Sequence, residues 1–168
     1  MGSALAEEGR MAIIGHGDIA SVLVDRPGIT FFASGVSNSL GMTAEDHERE
    51  LKLLMRQDKE HHLVYFSSLC VYYGKGRYFH HKQFMEDTVK SYFKRWTIVR
   101  LGNITWGKNP HTLLNYLRDR PDAERRNEIR YLVDKEEFLH WMEKIRPEVN
   151  DIMNIPGKMV NVKDLVVA

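Results

Sequence analysis

With 24 Lys and Arg against 23 Asp and Glu in 168 residues, the chain carries a formal net charge of +1. That balance excludes the global fields that draw proteins to nucleic acid or anionic membranes, and it leaves a small-molecule partner as the expectation. The one cysteine, Cys70, has no internal disulfide partner, and no apolar run approaches the roughly 20 residues of a bilayer span, so a reducing, cytoplasmic setting is expected.

The length suits one domain that buries about two thirds of the surface its unfolded form exposes. The opening MGSALAEEGR, residues 1–10, has no basic stretch leading into an apolar core; it is read as a tag or flexible extension, with the fold over 11–168. MAIIGHGDIASVLVD starts apolar, turns at Gly15 and Gly17, and then spaces Ile19, Val22 and Leu23 as a helix does, which predicts strand, tight turn and short helix. GITFFASG, rich in β-branched and aromatic residues between glycines, predicts a buried strand. In TAEDHERELKLLMRQ, Thr43 stands three before Asp46 as a cap, and Ala44, His47, Leu51, Leu54 and Met55 share one helix face. HLVYFSS reads as a third strand, the segment from Tyr78 to about Phe93 as a second long helix, and WTIVRLGN as a fourth strand. Such alternation predicts an α/β fold with a parallel sheet, helices on both faces, and ligands at the carboxyl ends of the strands. From about residue 108 the pattern loosens into NPHTLLNYLRD, a charged connection, a short strand IRYLVD, a helix KEEFLHWMEKI and a terminal KMVNV.

GHGDIA, Gly15 to Ala20, sits between a predicted strand and helix. The first glycine permits the tight turn, the second lets a pyrophosphate approach the backbone, and the small Ala20 allows close packing. Tyr78 and Lys82, four apart, share a helix face, where a cation favours tyrosinate and moves a phenol pKa downward from about 10. Ser67 and Ser68 end the strand just upstream, where a hydroxyl meets a ligand oxygen or merely caps the strand. Ordinary βα turns also use glycine, and Tyr with Lys at this spacing decorates many helices, so the residue types alone leave both readings open. The His pairs at 61–62 and 80–81 point different ways and lack a thiol or carboxylate at ligand spacing, so no metal is expected. Arg100, Asn103 and Arg130 offer donors suited to phosphate oxygens.

Glycine turn, strand-end serine and Tyr-x-x-x-Lys in that order resemble the short-chain dehydrogenase/reductases, in particular the extended branch of nucleotide-sugar epimerases, dehydratases and reductases. IVRLGNITWG is similar to the branch's Arg-x-x-Asn-x-x-Gly stretch, IRYLVDKEEFLHWM to its Arg-aromatic-x-Val-Asp segment, and MVNV to its late Asn-containing strand; the likeness covers most of Met11 to Val162. SSLCVYY looks like the GDP-fucose synthase version, whose serine stands two before a cysteine. That correspondence selects Ser68 over Ser67 and brings Cys70 near the substrate, while aligning on Tyr73 and Gly74 puts Leu69 there instead. The resemblance implies a Rossmann-like, doubly wound parallel sheet and bound NAD or NADP. It implies Tyr78 as acid/base, Lys82 as the cation that tunes it and holds the nicotinamide ribose, and Ser68 as the residue orienting the reacting oxygen. Gly15, His16, Gly17, Asp18, Ile19, Ala33, Ser34, Gly35, Ser67, Leu101, Asn103 and Ile104 would complete the dinucleotide site with Tyr78 and Lys82. Cys70, Asn103 and Arg130 would meet a nucleotide sugar, and the region from about residue 108 would form a small substrate side.

The sequence also departs from the family. The unit carrying the second and third strands is missing, replaced by DRPG, and with it the acidic residue that holds the adenosine ribose. Asp25 and Arg26 stand as its candidate substitutes. NAD and NADP are therefore expected to bind within about tenfold of each other. A non-catalytic binding or sensor protein descended from such an enzyme is the alternative. The family's dimeric helix pairing, with apolar Leu51, Leu54, Met55, Phe84, Val89 and Phe93 here, implies a homodimer or higher homo-oligomer. Loss of those strands also leaves the first strand as a sheet edge in need of cover.

Overall fold

A computed structural model describes residues 12–36 and 41–167. The expected extension over residues 1–10 and Met11 lie outside the described residues. In chain order the strands are β1 (Ile13–Ile14), β2 (Ile29–Phe32), β3 (His62–Ser68), β4 (Trp96–Leu101), β5 (Asn103–Ile104), β6 (Ile129–Val133), β7 (Asp151–Ile155) and β8 (Lys158–Asn161). The helices are α1 (Ala44–Met55), α2 (Arg77–Tyr92), α3 (Leu113–Asp119) and α4 (Lys135–Glu143). A five-stranded sheet runs β1-β2-β3-β4-β7 with every neighbouring pair parallel. Beside it lies a three-stranded sheet, β5-β6-β8, in which β8 runs antiparallel to β6.

The central strands are buried on both faces, which is why they read as nearly unbroken apolar runs. Along β2 and β3 the side chains alternate between two cores. Phe31, Val64 and Phe66 pack with Val99 of β4 and with Phe138 and Met142 of α4. Phe32, Leu63 and Tyr65 pack on the other side with Leu54 of α1 and Met85 and Val89 of α2. The sheet is thus doubly wound and Rossmann-like, with α1 and α2 on one face and α4 on the other. Thr43 closes the expected capping box at the start of α1: its Oγ1 accepts from the Asp46 amide while the Asp46 carboxylate accepts from the Thr43 amide. Asp134 caps α4 with a single such bond, accepting from the Glu137 amide at 2.8 Å.

Three features differ from the sequence reading. The short helix after the glycine turn is only a 3-10 turn, Ala20–Val22, because Pro27 and the left-handed Gly28 (φ 76°) carry the chain straight into β2. Strand β7 was not expected, since DIMNI is flanked by Asn150 and Pro156, both turn formers. It forms because β4 offers a full unpaired edge and because Asn150 fixes the register, accepting from the Trp96 amide and donating to the Lys94 carbonyl. Finally, Leu54, Val89 and Phe93, read as surplus surface for a dimer, belong to the core of the monomer. The exposed edge strand β1 is only two residues long, which limits what another strand could pair with.

Gly15 shows why the first glycine of the turn is needed. At φ 127° it adopts a backbone that side chains rarely take, and an added Cβ would stand 2.3 Å from the Ala33 carbonyl oxygen. An added Cβ at Gly17 meets nothing within 4 Å. Gly15→Ala should therefore lower the unfolding free energy by about 2 kcal/mol or more, and Gly17→Ala by less than about 1 kcal/mol. Urea denaturation of both variants checks this, and equal losses would contradict it.

Candidate active site

The carboxyl ends of β1 to β4 open into a cavity of about 660 Å³. The β1 turn brings His16, Gly17, Asp18 and Ile19 to its wall; the end of β2 brings Ala33, Ser34 and Gly35; β3 and its continuation bring Ser67, Ser68 and Cys70. Helix α2 adds Tyr78 and Lys82, the end of β4 and β5 add Leu101, Asn103 and Ile104, and β6 adds Arg130. Residues far apart in sequence thus meet at one site because parallel strands all deliver their carboxyl ends to the same edge. Gly15 lies behind this wall, spent on the contact with Ala33.

Individual side chains differ in what they have free. Ser67 is buried and its Oγ has no hydrogen-bond partner among the described residues. Ser68 Oγ accepts from the Cys70 amide at 3.2 Å, capping the 3-10 turn Leu69–Tyr72, and keeps its O–H to donate. Both oxygens of Asp18 accept backbone amides, of Lys108 and Asn109 at 2.9 Å each, so this carboxylate latches the chain after β5 to the glycine turn. Asn103 Nδ2 donates to the Tyr131 carbonyl and ties β5 to β6 within the small sheet. Arg130 pairs with Glu128 at 2.9 Å, while its Nε is buried without a partner.

Two arginines serve elsewhere. Arg100 grips Glu86 with two hydrogen bonds, at 3.1 and 2.7 Å, and donates to Tyr72 Oη; it does not line the cavity. Arg26 donates to the Met142 and Ile145 carbonyls where α4 ends. This is the amino end of the strands, so neither Arg26 nor Asp25, the expected substitutes for a ribose-binding acid, lines the cavity.

Lys82 is 3 % exposed. Its Nζ lies 3.3 Å from Tyr65 Oη, 3.5 Å from the Phe66 carbonyl and 3.8 Å from Glu50 Oε1, and 5.7 Å from the centre of the Tyr78 ring. Glu50, on α1, is 0 % exposed and accepts from Tyr65 Oη at 2.7 Å, His81 Nε2 at 2.5 Å and the Val36 amide at 3.2 Å. His47 stacks on His81 with ring centres 3.9 Å apart. Sequence reading passed over Glu50, although it falls three after His47 and four before Leu54, on the buried stripe of α1. An acid on an apolar stripe was the available signal. Arg49, whose guanidinium reaches Ser34, and His111 also line the cavity unforeseen.

Burial raises the Glu50 pKa, but the Lys82 charge and the hydrogen bonds from His81 and Tyr65 outweigh it and hold the group at about 2. For Lys82, burial acts to lower the pKa and Glu50 raises it, with a net upward shift. Tyr78 is the correction: its phenol is pushed up, because burial exceeds the lowering by Lys82, whose charge Glu50 already neutralises. Burial also pushes the Cys70 thiol up.

No family model matches the sequence, and no curated protein matches it. Solved structures do resemble the fold. The Bordetella bronchiseptica enzyme WbmG in complex with NAD and UDP is 13% identical with a TM-score of 0.61, over 80% of this chain and 52% of that one. A UDP-galactose 4-epimerase is 16% identical with a TM-score of 0.54, over 79% and 57%. UDP-glucuronic acid 4-epimerase from Bacillus cereus, in complex with UDP-glucuronic acid and NAD, is 15% identical with a TM-score of 0.53, over 71% and 48%. At these identities the likeness is one of fold, and it defines the class as a Rossmann-like α/β protein. The chain spans about half the length of these structures.

The pH dependence of stability follows from Glu50. Its pKa falls from 4.5 when unfolded to about 2 when folded, so its contribution is full above pH 4.5 and is lost as pH drops through 2. The contribution is on the order of 3 kcal/mol. Glu50→Gln should flatten the stability curve over that acid window, as read by denaturant titration at a series of pH values.

Proposed function

We propose that the cavity binds a nicotinamide dinucleotide and that the chain uses it to move a hydride on a nucleotide sugar, as an epimerase, reductase or dehydratase does. The supporting observation is the meeting of the glycine turn, Ser67, Ser68, Tyr78 and Lys82 on one cavity at the carboxyl ends of the strands. The residues fit such a ligand. Nothing stands within 4 Å of the side of Gly17 that a Cβ would occupy, leaving the backbone open to a phosphate. Ser67 Oγ and Arg130 Nε are buried polar atoms without partners, and such groups call for one. The fold neighbours crystallised with NAD, UDP and UDP-glucuronic acid support the same reading.

When bound, the nicotinamide supplies hydride acceptance and donation. The chain supplies the proton. Its high pKa keeps the Tyr78 phenol protonated at neutral pH, able to give its proton to a substrate oxygen. Lys82 steadies the phenolate that forms, and the free O–H of Ser68 donates to the same substrate oxygen. Arg130, which lines the cavity, is the donor for a diphosphate. We read residues 11–168 as one unit and as a homodimer. Phe84, 51 % exposed beside Leu51, is the main apolar residue of the α1–α2 face left to cover.

One observation favours the non-catalytic reading. No residue from Ala20 to Phe32 lines the cavity, so the adenosine half of a dinucleotide has no wall on that side. The same gap predicts little discrimination at the ribose. Calorimetry should find NAD and NADP affinities within about tenfold, or about 1.4 kcal/mol, and a hundredfold preference would reveal a reader of that position.

Turnover decides between the readings. Against a panel of nucleotide sugars, Tyr78→Phe should leave folding and dinucleotide binding intact and cut the rate on the order of a hundredfold to ten-thousandfold. Ser68→Ala should cost more than Ser67→Ala. A wild-type protein that binds neither NAD nor NADP at millimolar concentration and turns over no sugar nucleotide excludes the enzyme.

A further inference from the structure

We propose that Glu50 is a positioning residue for the Tyr78–Lys82 pair: a fixed counter-ion on α1 that keeps Lys82 an ammonium and holds its nitrogen at the inner wall of the cavity. The link to turnover rests on the reading above; the link between Glu50 and Lys82 does not.

The geometry carries it. Lys82 is buried, and an unpaired ammonium in such a place gives up its proton, with shifts of up to 3–5 pKa units seen for fully buried groups, about the largest known. Among the described residues, Lys82 Nζ finds two uncharged acceptors in hydrogen-bond range, Tyr65 Oη and the Phe66 carbonyl. Among the described residues, Glu50 Oε1 is the carboxylate oxygen paired with it, at 3.8 Å. Glu50 is itself fixed from three directions: Tyr65 from β3, His81 from α2, and the Val36 amide from the segment after β2. It therefore cannot swing away to solvent. An added Cβ at Gly35 would stand 3.0 Å from Lys82 Nζ and 3.1 Å from Glu50 Oε1, so the chain after β2 closes over the ion pair.

Other charges face the pair more weakly. On α2, Glu86 adds negative potential at Lys82, and Tyr78 adds more when it loses its proton. Cys70, from the turn after β3, acts in the same sense as a thiolate. On α1, His47 stacks behind His81, and burial, with His81 beside it, lowers its pKa. None of these replaces a carboxylate in direct contact with the network.

The consequence for chemistry is a division of labour. Lys82 can stabilise a Tyr78 phenolate only while it carries a proton, and Glu50 secures that proton. Because Glu50 also neutralises Lys82 in the resting state, Tyr78 stays protonated until a substrate oxygen takes its proton.

Lysine-labelled protein without any nucleotide provides the test, with the Cε signal of Lys82 assigned by its loss in Lys82→Arg. In wild type that signal should titrate above the ordinary lysine range. In Glu50→Gln, which preserves shape and removes the charge, it should titrate at least about two pH units lower, a hundredfold rise in acid dissociation. The alkaline limb of any pH–rate profile should move down with it. A folded Glu50→Gln protein in which Lys82 titrates as in wild type overturns the proposal. Should Glu50→Gln fail to fold, the double variant Glu50→Gln/Lys82→Met should recover folding by removing the stranded ammonium, and a double variant that folds no better also overturns it. If wild type binds no dinucleotide, the enzyme reading falls while this titration still decides the role of Glu50.

Discussion

A carboxylate with no solvent exposure has to be answered by its neighbours, and around Glu50 that requirement organises the centre of the molecule. It joins α1 to β3 through Tyr65, to α2 through His81 and Lys82, and to the chain leaving β2 through Val36. These are the elements whose ends form the inner half of the cavity. Every acceptor site of the carboxylate is filled by a donor or faced by a cation, which is the condition under which a buried ion pair is tolerated. Removing one partner leaves another charge stranded, so the network acts as a unit.

The same network alters the meaning of the Tyr-x-x-x-Lys spacing. On an isolated helix, a lysine four residues from a tyrosine lowers the phenol pKa. Inside this protein the lysine's field is shared with a carboxylate, and the phenol is surrounded by protein that disfavours its anion. The balance is upward. A tyrosine in that state is suited to giving a proton rather than taking one.

The sheet sets the second constraint. Parallel strands bring the glycine turn, both serines and the β4 end to one rim, and the second sheet closes the far side through Asn103 and Arg130. The side beside the glycine turn is built differently. Where a Rossmann sheet continues past its first strand, this one stops at β1 among the described residues, and Arg26 is engaged at the opposite end of the strands with the carbonyls of α4. The site is therefore well walled around its reactive groups and open beside the glycine turn.

Much of this was legible in the sequence. Apolar runs of β2, β3 and β4 announced strands buried on both faces, Thr43 with Asp46 announced the start of α1, and glycine, serine, tyrosine and lysine in order announced the cavity wall. Those signals are local: a run, a cap, a turn. Strand β7 was not legible, because its residues take that form only against the free edge of β4. Nor was the loss of Leu54, Val89 and Phe93 to the core, since periodicity marks a helix face as apolar without saying what covers it. The identity of Lys82's partner was likewise decided in three dimensions, for Glu50 lies 32 positions away in sequence and is brought to it only by the packing of α1 beside α2. Sequence determined which groups the protein has and which local conformations they favour; tertiary structure decided their protonation, because charge depends on who is near and how much water remains.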